Sequence, residues 1–230
     1  MMMLLLRPNG AQANGQKRRV PVVRERERRY GKVVEERVLS VTRDILISGP
    51  HASGKSRWLD KLHKQAVEVW GSKKELLYLR SIEPLQRWYE DPRVVAHATA
   101  RGLNWQKLKS YERADELIRW VTDQKVLVMM DDAHKLTGRK LDVATRVAGA
   151  ARQVIVSAFD EQQIPISLRL LLVQRRPQRV LLESKAAYDA TSVTLWLTIL
   201  IAMMAGWWQL AAVMGGMKVL AGGRRAAKQM

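Results

Sequence analysis

Eight consecutive residues carry the sharpest chemistry in this chain. Gly49-Pro50-His51-Ala52-Ser53-Gly54-Lys55-Ser56 sets two glycines, a lysine and a serine in the spacing G-x-x-x-x-G-K-[ST]. A chain of phosphates needs several donors at once, and this spacing supplies them. Glycine lets the backbone curl where a Cβ would clash with the anion. The successive N–H groups then form an anion nest, backed by the positive end of the helix that follows. Lys55 is expected to reach the outer phosphates, and Ser56 to ligate Mg²⁺.

A second constellation is acidic. The run Val126-Leu127-Val128-Met129-Met130 leads directly into Asp131-Asp132. An apolar strand that ends in paired carboxylates places acid at the carboxyl edge of a sheet, where open α/β folds bind ligands.

Short apolar runs at 45–47, 76–79, 126–130, 154–156 and 180–182 read as five strands. Helical patterns fall between them at 55–70, 114–121, 141–150 and 166–172, the first stopped by Gly71. A polar stretch containing proline runs from Glu83 to Asn104. Strands alternating with helices predict a parallel sheet with helices on both faces. Trp88, Tyr89 and Trp105 fit core packing better than base stacking.

With motif and elements in place, residues 44–183 resemble the P-loop NTPases, and among them ATPases with Walker A and Walker B motifs of the AAA+ and RecA-like kind. The resemblance implies a three-layer α/β sandwich with a mostly parallel five-stranded sheet, binding ATP and Mg²⁺. It implies that Asp131 holds Mg²⁺ mostly through water. Asp132 stands where these ATPases usually carry a glutamate that polarises the attacking water; aspartate is one methylene shorter. Ser157 sits where the family carries a polar sensor of the γ-phosphate. AAA+ proteins also take an arginine finger from a neighbouring subunit. Arg169, Arg175 and Arg176 lie about where the family places it, which implies a homo-oligomer. The helical lid expected after the last strand has no counterpart here. No N-K-x-D guanine-reading motif occurs, so ATP is favoured over GTP. Asp131-Asp132-Ala133-His134 is similar to the Asp-Glu-Ala-His box of helicases, without the rest of a helicase motif set. His51 and His134 read as loop or surface histidines.

Composition sets the outer bounds. The 230 residues include no cysteine, which excludes a disulfide scaffold, a thiolate metal site and a cysteine nucleophile. Forty Lys and Arg against 22 Asp and Glu leave a net charge of +18, which implies an anionic partner. Much of that excess lies at the two ends, in residues 1–37, read as a basic flexible arm, and 218–230, a basic tail. The arm suits docking on nucleic acid. Residues 190–217 carry no charge, longer than the roughly 20 residues that cross a bilayer as a helix. The expected layout is therefore an ATPase domain at 38–188, in the cytoplasm, followed by a single transmembrane helix at 189–217 that meets membrane lipid through 191–217. The expected function is a membrane-anchored ATPase that hydrolyses ATP to drive a macromolecular assembly or transport partner. The alternatives are an ATP-dependent DNA-binding regulator of the transposition-helper type and a P-loop small-molecule kinase.

Overall fold

The computed structural model describes residues 2–8, 19–26, 33–51, 53–72, 74–182, 201 and 204. The chain opens with three strands, β1 (Met2–Pro8), β2 (Arg19–Arg26) and β3 (Val33–Val38). They form an antiparallel sheet in the order β1-β2-β3. Strands thus occupy the described parts of 1–37, the span expected as a flexible arm. The mixed Arg and Glu residues that suggested a solvated segment are partly cross-strand partners. Glu36 accepts from Arg7 at 2.6 Å and pairs with Arg24 at 3.1 Å. Arg19 pairs with Glu68 at 2.5 Å. Val22 and Val23 are buried, and Val23 joins one of the two main apolar clusters.

The second sheet holds all five strands expected from the apolar runs. They are β4 (Ile45–Ser48), β5 (Leu76–Arg80), β6 (Leu127–Asp131), β7 (Gln153–Ala158) and β8 (Gln178–Leu181). The order is β5-β6-β7-β4-β8, and every pair is parallel. Helices cover both faces: α1 (Lys55–Lys64), α2 (Ala66–Trp70), α3 (Leu85–Tyr89), α4 (Pro92–Ala100), α5 (Ser110–Asp123), α6 (Gly138–Ala150) and α7 (Ile166–Gln174). Side chains alternate across the strands. Leu46, Val128, Met130, Val154 and Val156 pack with Leu117, Val147 and Leu168 in one cluster. Ile45, Ile47, Leu127, Met129 and Ile155 pack with Trp58, Leu59 and Leu62 of α1 in the other. Burial on both faces is why these strands read as unbroken apolar runs.

Two details depart from the expectation. The helix over 55–70 breaks at Gln65 into α1 and α2. The stretch 83–104 contains α3 and α4, whose prolines mark helix starts. Pro84 caps α3, and Pro92 begins α4 behind Asp91, whose carboxylate accepts from the Arg93 N–H at 2.9 Å. Trp88 and Tyr89 of α3 are buried in the core, as expected for packing residues.

Among the described residues no helix is long and apolar enough to cross a membrane. The transmembrane helix expected at 189–217 and the tail at 218–230 lie outside the described residues, apart from Ile201 and Met204.

The strand order decides the geometry of the phosphate end. Strand β4 feeds the glycine loop and β6 carries the acids, with β7 between them. Two strand spacings separate loop from acid, about 9–10 Å. That gap at the carboxyl edge is wide enough for phosphate oxygens and a cation.

Candidate nucleotide and magnesium site

The loop begins where β4 ends. The Gly49 N–H donates to the Phe159 carbonyl at 3.0 Å. Its φ is +154°, and a Cβ there would lie 2.4 Å from the Leu182 carbonyl oxygen. Gly54 opens α1 at φ +89°, and a Cβ there would meet nothing within 4 Å among the described residues. The two glycines thus do different jobs: one lets β8 approach, the other turns the chain while leaving space in front of the helix. Gly49→Ala is expected to cost about 1–3 kcal/mol of stability through overpacking. Gly54→Ala is expected to unfold near the wild-type temperature, less about 1–2 kcal/mol for the left-handed backbone, yet lose nucleotide binding. Thermal unfolding beside a nucleotide-binding titration checks the pair.

Lys55 is 7% exposed. Its Nζ donates to the Gly49 carbonyl at 2.6 Å, the Pro50 carbonyl at 2.8 Å and Ser53 Oγ at 3.1 Å. Burial holds its pKa below the ordinary lysine value, opposed by the carboxylates of Asp132 and Asp131. Pro50 and His51 are exposed, and the His51 ring lies 5.0 Å from that of Phe159. Ala52 lies outside the described residues.

Asp131 is buried at the tip of β6 and accepts a short hydrogen bond from Ser157 Oγ. The same Oγ accepts from the Asp132 N–H at 3.0 Å. Ser157, fully buried on β7, therefore fixes both members of the acidic pair. Asp132 takes a left-handed backbone, φ 54°, and its carboxylate pairs with Lys135 at 2.5 Å. A cavity of about 200 Å³ opens here, lined among others by Ser56, Asp60, Arg80, Ser81, Asp131 and Asp132. Ser56 and Asp131 are hard oxygen donors facing one space, which fits Mg²⁺. Among the described residues no group of three or more His, Cys, Asp or Glu side chains forms a cage.

The arginines fall elsewhere. Gln178 pairs with Ile45, so the turn before β8 lies at the amino ends of the strands, opposite the glycine loop. There Arg175 binds Asp44 at 2.5 Å and donates to the carbonyls of Ala148, Ala151 and Arg152. Arg175, expected as a finger towards a neighbouring subunit, thus has its guanidinium engaged within its own chain at the far edge. Arg176 is exposed at that same edge, with φ 48°. Arg169 donates to the Gln162 carbonyl at 3.0 Å.

The sequence reading missed Asp60, Tyr78, Arg80 and Ser81. Asp60 stands four residues after Ser56, hence on the same helix face. Arg80 pairs in register with Asp131, which brings the tip of β5 to the same sheet edge. Arg80 pairs with Asp60 at 2.6 Å and stacks 4.9 Å from the Tyr78 ring. Burial, then the charges of Asp131 and Asp60, push the Tyr78 hydroxyl well above its usual pKa.

His134 ties the two halves together. Its Nδ1 accepts from the Phe159 N–H at 3.2 Å, and Phe159 in turn receives Gly49 through its carbonyl. Burial lowers the His134 pKa below 6.5; Asp132 opposes, while Lys135, His51 and Lys55 add to the fall. The folded state therefore binds its proton less readily than the unfolded chain. This stability contribution is present above pH 6.5 and lost as pH falls through that value towards the folded pKa. His63 shifts downward too, first through burial and then Arg93, so it carries the same sign. The unfolding temperature is expected to drop on acidification below pH 6.5, with a shallower slope in His134→Gln. An unchanged slope would show that His134 plays no part in it.

The profile of a family described as cobinamide kinase / cobinamide phosphate guanyltransferase matches residues 45–171. No curated protein matches the chain. Among solved structures, Cdc6p from Pyrobaculum aerophilum is similar at 16% identity and TM-score 0.41, over 60% of this chain and 38% of that one. EccC from Thermomonospora curvata, ATPases 2 and 3 with a signal sequence peptide, is similar at 16% identity and TM-score 0.40, over 73% and 38%. Domain III of the replication initiation protein DnaA from Thermotoga maritima is similar at 16% identity and TM-score 0.39, over 61% and 54%. The chain thus spans less than two thirds of each of these structures.

Proposed function

This chain belongs to the family described as cobinamide kinase / cobinamide phosphate guanyltransferase, a family of P-loop NTPases, and on that premise we propose that it is a Mg²⁺-dependent phosphotransferase. It would pass the terminal phosphoryl group of a nucleoside triphosphate, ATP by preference, to a small polar acceptor. The observation that carries this reading is a second cavity, of about 430 Å³, beside the first. Tyr78 and Arg80 line both. Hydrolysis needs room for one attacking water, whereas this volume falls in the range of small-ligand pockets. His63, Arg87, Trp88 and Arg93 line it further. Glu83, Glu90 and Asp91 line it as well, so its charges nearly balance and favour a neutral or zwitterionic acceptor over a polyanion.

In this reading the glycine loop and Lys55 bind the phosphates, while Ser56 and Asp131 hold the magnesium. When bound, the ion neutralises charge on the transferring group. An acceptor hydroxyl oxygen forms the new bond to phosphorus, and the bond to the bridging oxygen of the diphosphate breaks. Asp132 takes the hydroxyl proton. A loose transition state makes little demand on that base, so its ion pair with Lys135 is tolerable. The alternative is hydrolysis of ATP coupled to a macromolecular partner. Its support is the Ser157 hydroxyl, which is buried and bonded to Asp131.

The test uses γ-labelled ATP, and GTP in parallel, with a small-molecule cell extract and Lys55→Met as control. Label moving into an organic product, and not in the control, supports transfer. Label released only as inorganic phosphate supports hydrolysis and overturns the transferase reading.

A further inference from the structure

Ser81 stands just past the tip of β5, at the edge that carries Asp131. Its backbone is held from two sides. The N–H donates to the Asp131 carbonyl at 3.3 Å, and the carbonyl accepts from Lys140 Nζ at 3.0 Å. The residue is 6% exposed, and its hydroxyl has no hydrogen-bond partner among the described residues. It nevertheless lines the cavity that Ser56, Asp131 and Asp132 share. A buried hydroxyl without a partner costs free energy on folding unless something occupies the space before it.

We propose that Ser81 is a third positioning residue for the magnesium ion, acting through a metal-bound water. The hydroxyl accepts from that water, so the cation is steadied from three elements: α1 through Ser56, β6 through Asp131 and the end of β5 through Ser81. The inference rests on the magnesium–nucleotide reading of this cavity, not on whether the phosphoryl group goes to an acceptor or to water. Groups of this kind, one water removed from the metal, typically change metal affinity about 10-fold or more when lost.

The experiment measures Mn²⁺ binding to the full chain by the loss of the free-ion electron paramagnetic resonance signal, with a non-hydrolysable ATP analogue present. Ser81→Ala is expected to weaken Mn²⁺ binding about 10-fold. Ser81→Thr keeps the hydroxyl and is expected to restore it. Metal-free binding of the analogue should stay at the wild-type level. The unfolding temperature of Ser81→Ala should not fall, because no hydrogen bond within the protein is lost. Equal Mn²⁺ affinity in wild type and Ser81→Ala overturns the proposal, as does a lowered unfolding temperature with the same affinity. Wild-type protein that binds neither analogue nor Mn²⁺ overturns this inference and the proposed function together. A Mn²⁺ shift without a labelled acceptor overturns only the transferase reading.

Discussion

Lys55→Met is expected to lower kcat/KM for the triphosphate by about 10²–10³-fold, the usual consequence of removing one charged donor from a water-poor site. The same change is expected to leave the unfolding temperature of the nucleotide-free protein unchanged or slightly raised. The reason lies in where the ammonium sits. It is nearly buried and hydrogen-bonded to two loop carbonyls and Ser53. Its lowered pKa means that folding works against the charged form. Methionine has similar length and no charge to desolvate, so the stability lost with three hydrogen bonds is offset by the relief of burying a cation. Activity and stability should therefore part company. Kinetics and thermal unfolding on the same preparation decide the matter. A large fall in unfolding temperature would make Lys55 a structural clasp, and unchanged kcat/KM would end the phosphate reading.

What the sequence disclosed, and what it hid, follows from the range of the interactions. The glycine loop is local: its function is set by residues 49–56, so a short pattern suffices. The five strands were legible because helices cover both faces, leaving no polar face to interrupt the apolar runs. The sheet of β1, β2 and β3 was hidden by its own stabilising pairs. Arg7, Arg24 and Glu36 read as solvated charge until the strands are set side by side. Helices α3 and α4 were hidden because proline announces a helix start as readily as a stop. Asp60 and Ser81 depend on the register between β5 and β6 and on the seating of α1, neither of which spacing alone contains. The hydrogen bond from Ser157 to Asp131 joins two strands and so lay outside what spacing along the chain contains. The Arg175–Asp44 clamp was hidden because a position between two late elements says nothing of which sheet edge the turn occupies.

Arg175→Met is expected to destabilise the fold by about 3–5 kcal/mol, the cost of leaving a buried partner charge uncompensated. Asp44 is 6% exposed. Its carboxylate accepts from Arg175 Nε at 2.5 Å, from Arg175 Nη2 at 3.3 Å and from the Val154 N–H at 2.7 Å. The same guanidinium reaches carbonyls of Ala148, Ala151 and Arg152 at 3.0–3.2 Å. One side chain thus joins the start of β4, the start of β7, the end of α6 and the turn after α7. Strand β4 separates this clamp from the glycine loop by about 13 Å of extended chain. Below its own unfolding transition, Arg175→Met should therefore bind nucleotide and turn it over at the wild-type rate. Adding Asp44→Asn removes the stranded charge, so the double variant is expected to recover roughly 1–2 kcal/mol relative to Arg175→Met alone, a coupling typical of side chains in contact. A finger donated to a neighbouring copy would give the opposite pattern, with kcat reduced, the unfolding temperature unmoved and no rescue by Asp44→Asn. Urea titrations of the four proteins in the cycle, with turnover measured on each while folded, separate the two outcomes.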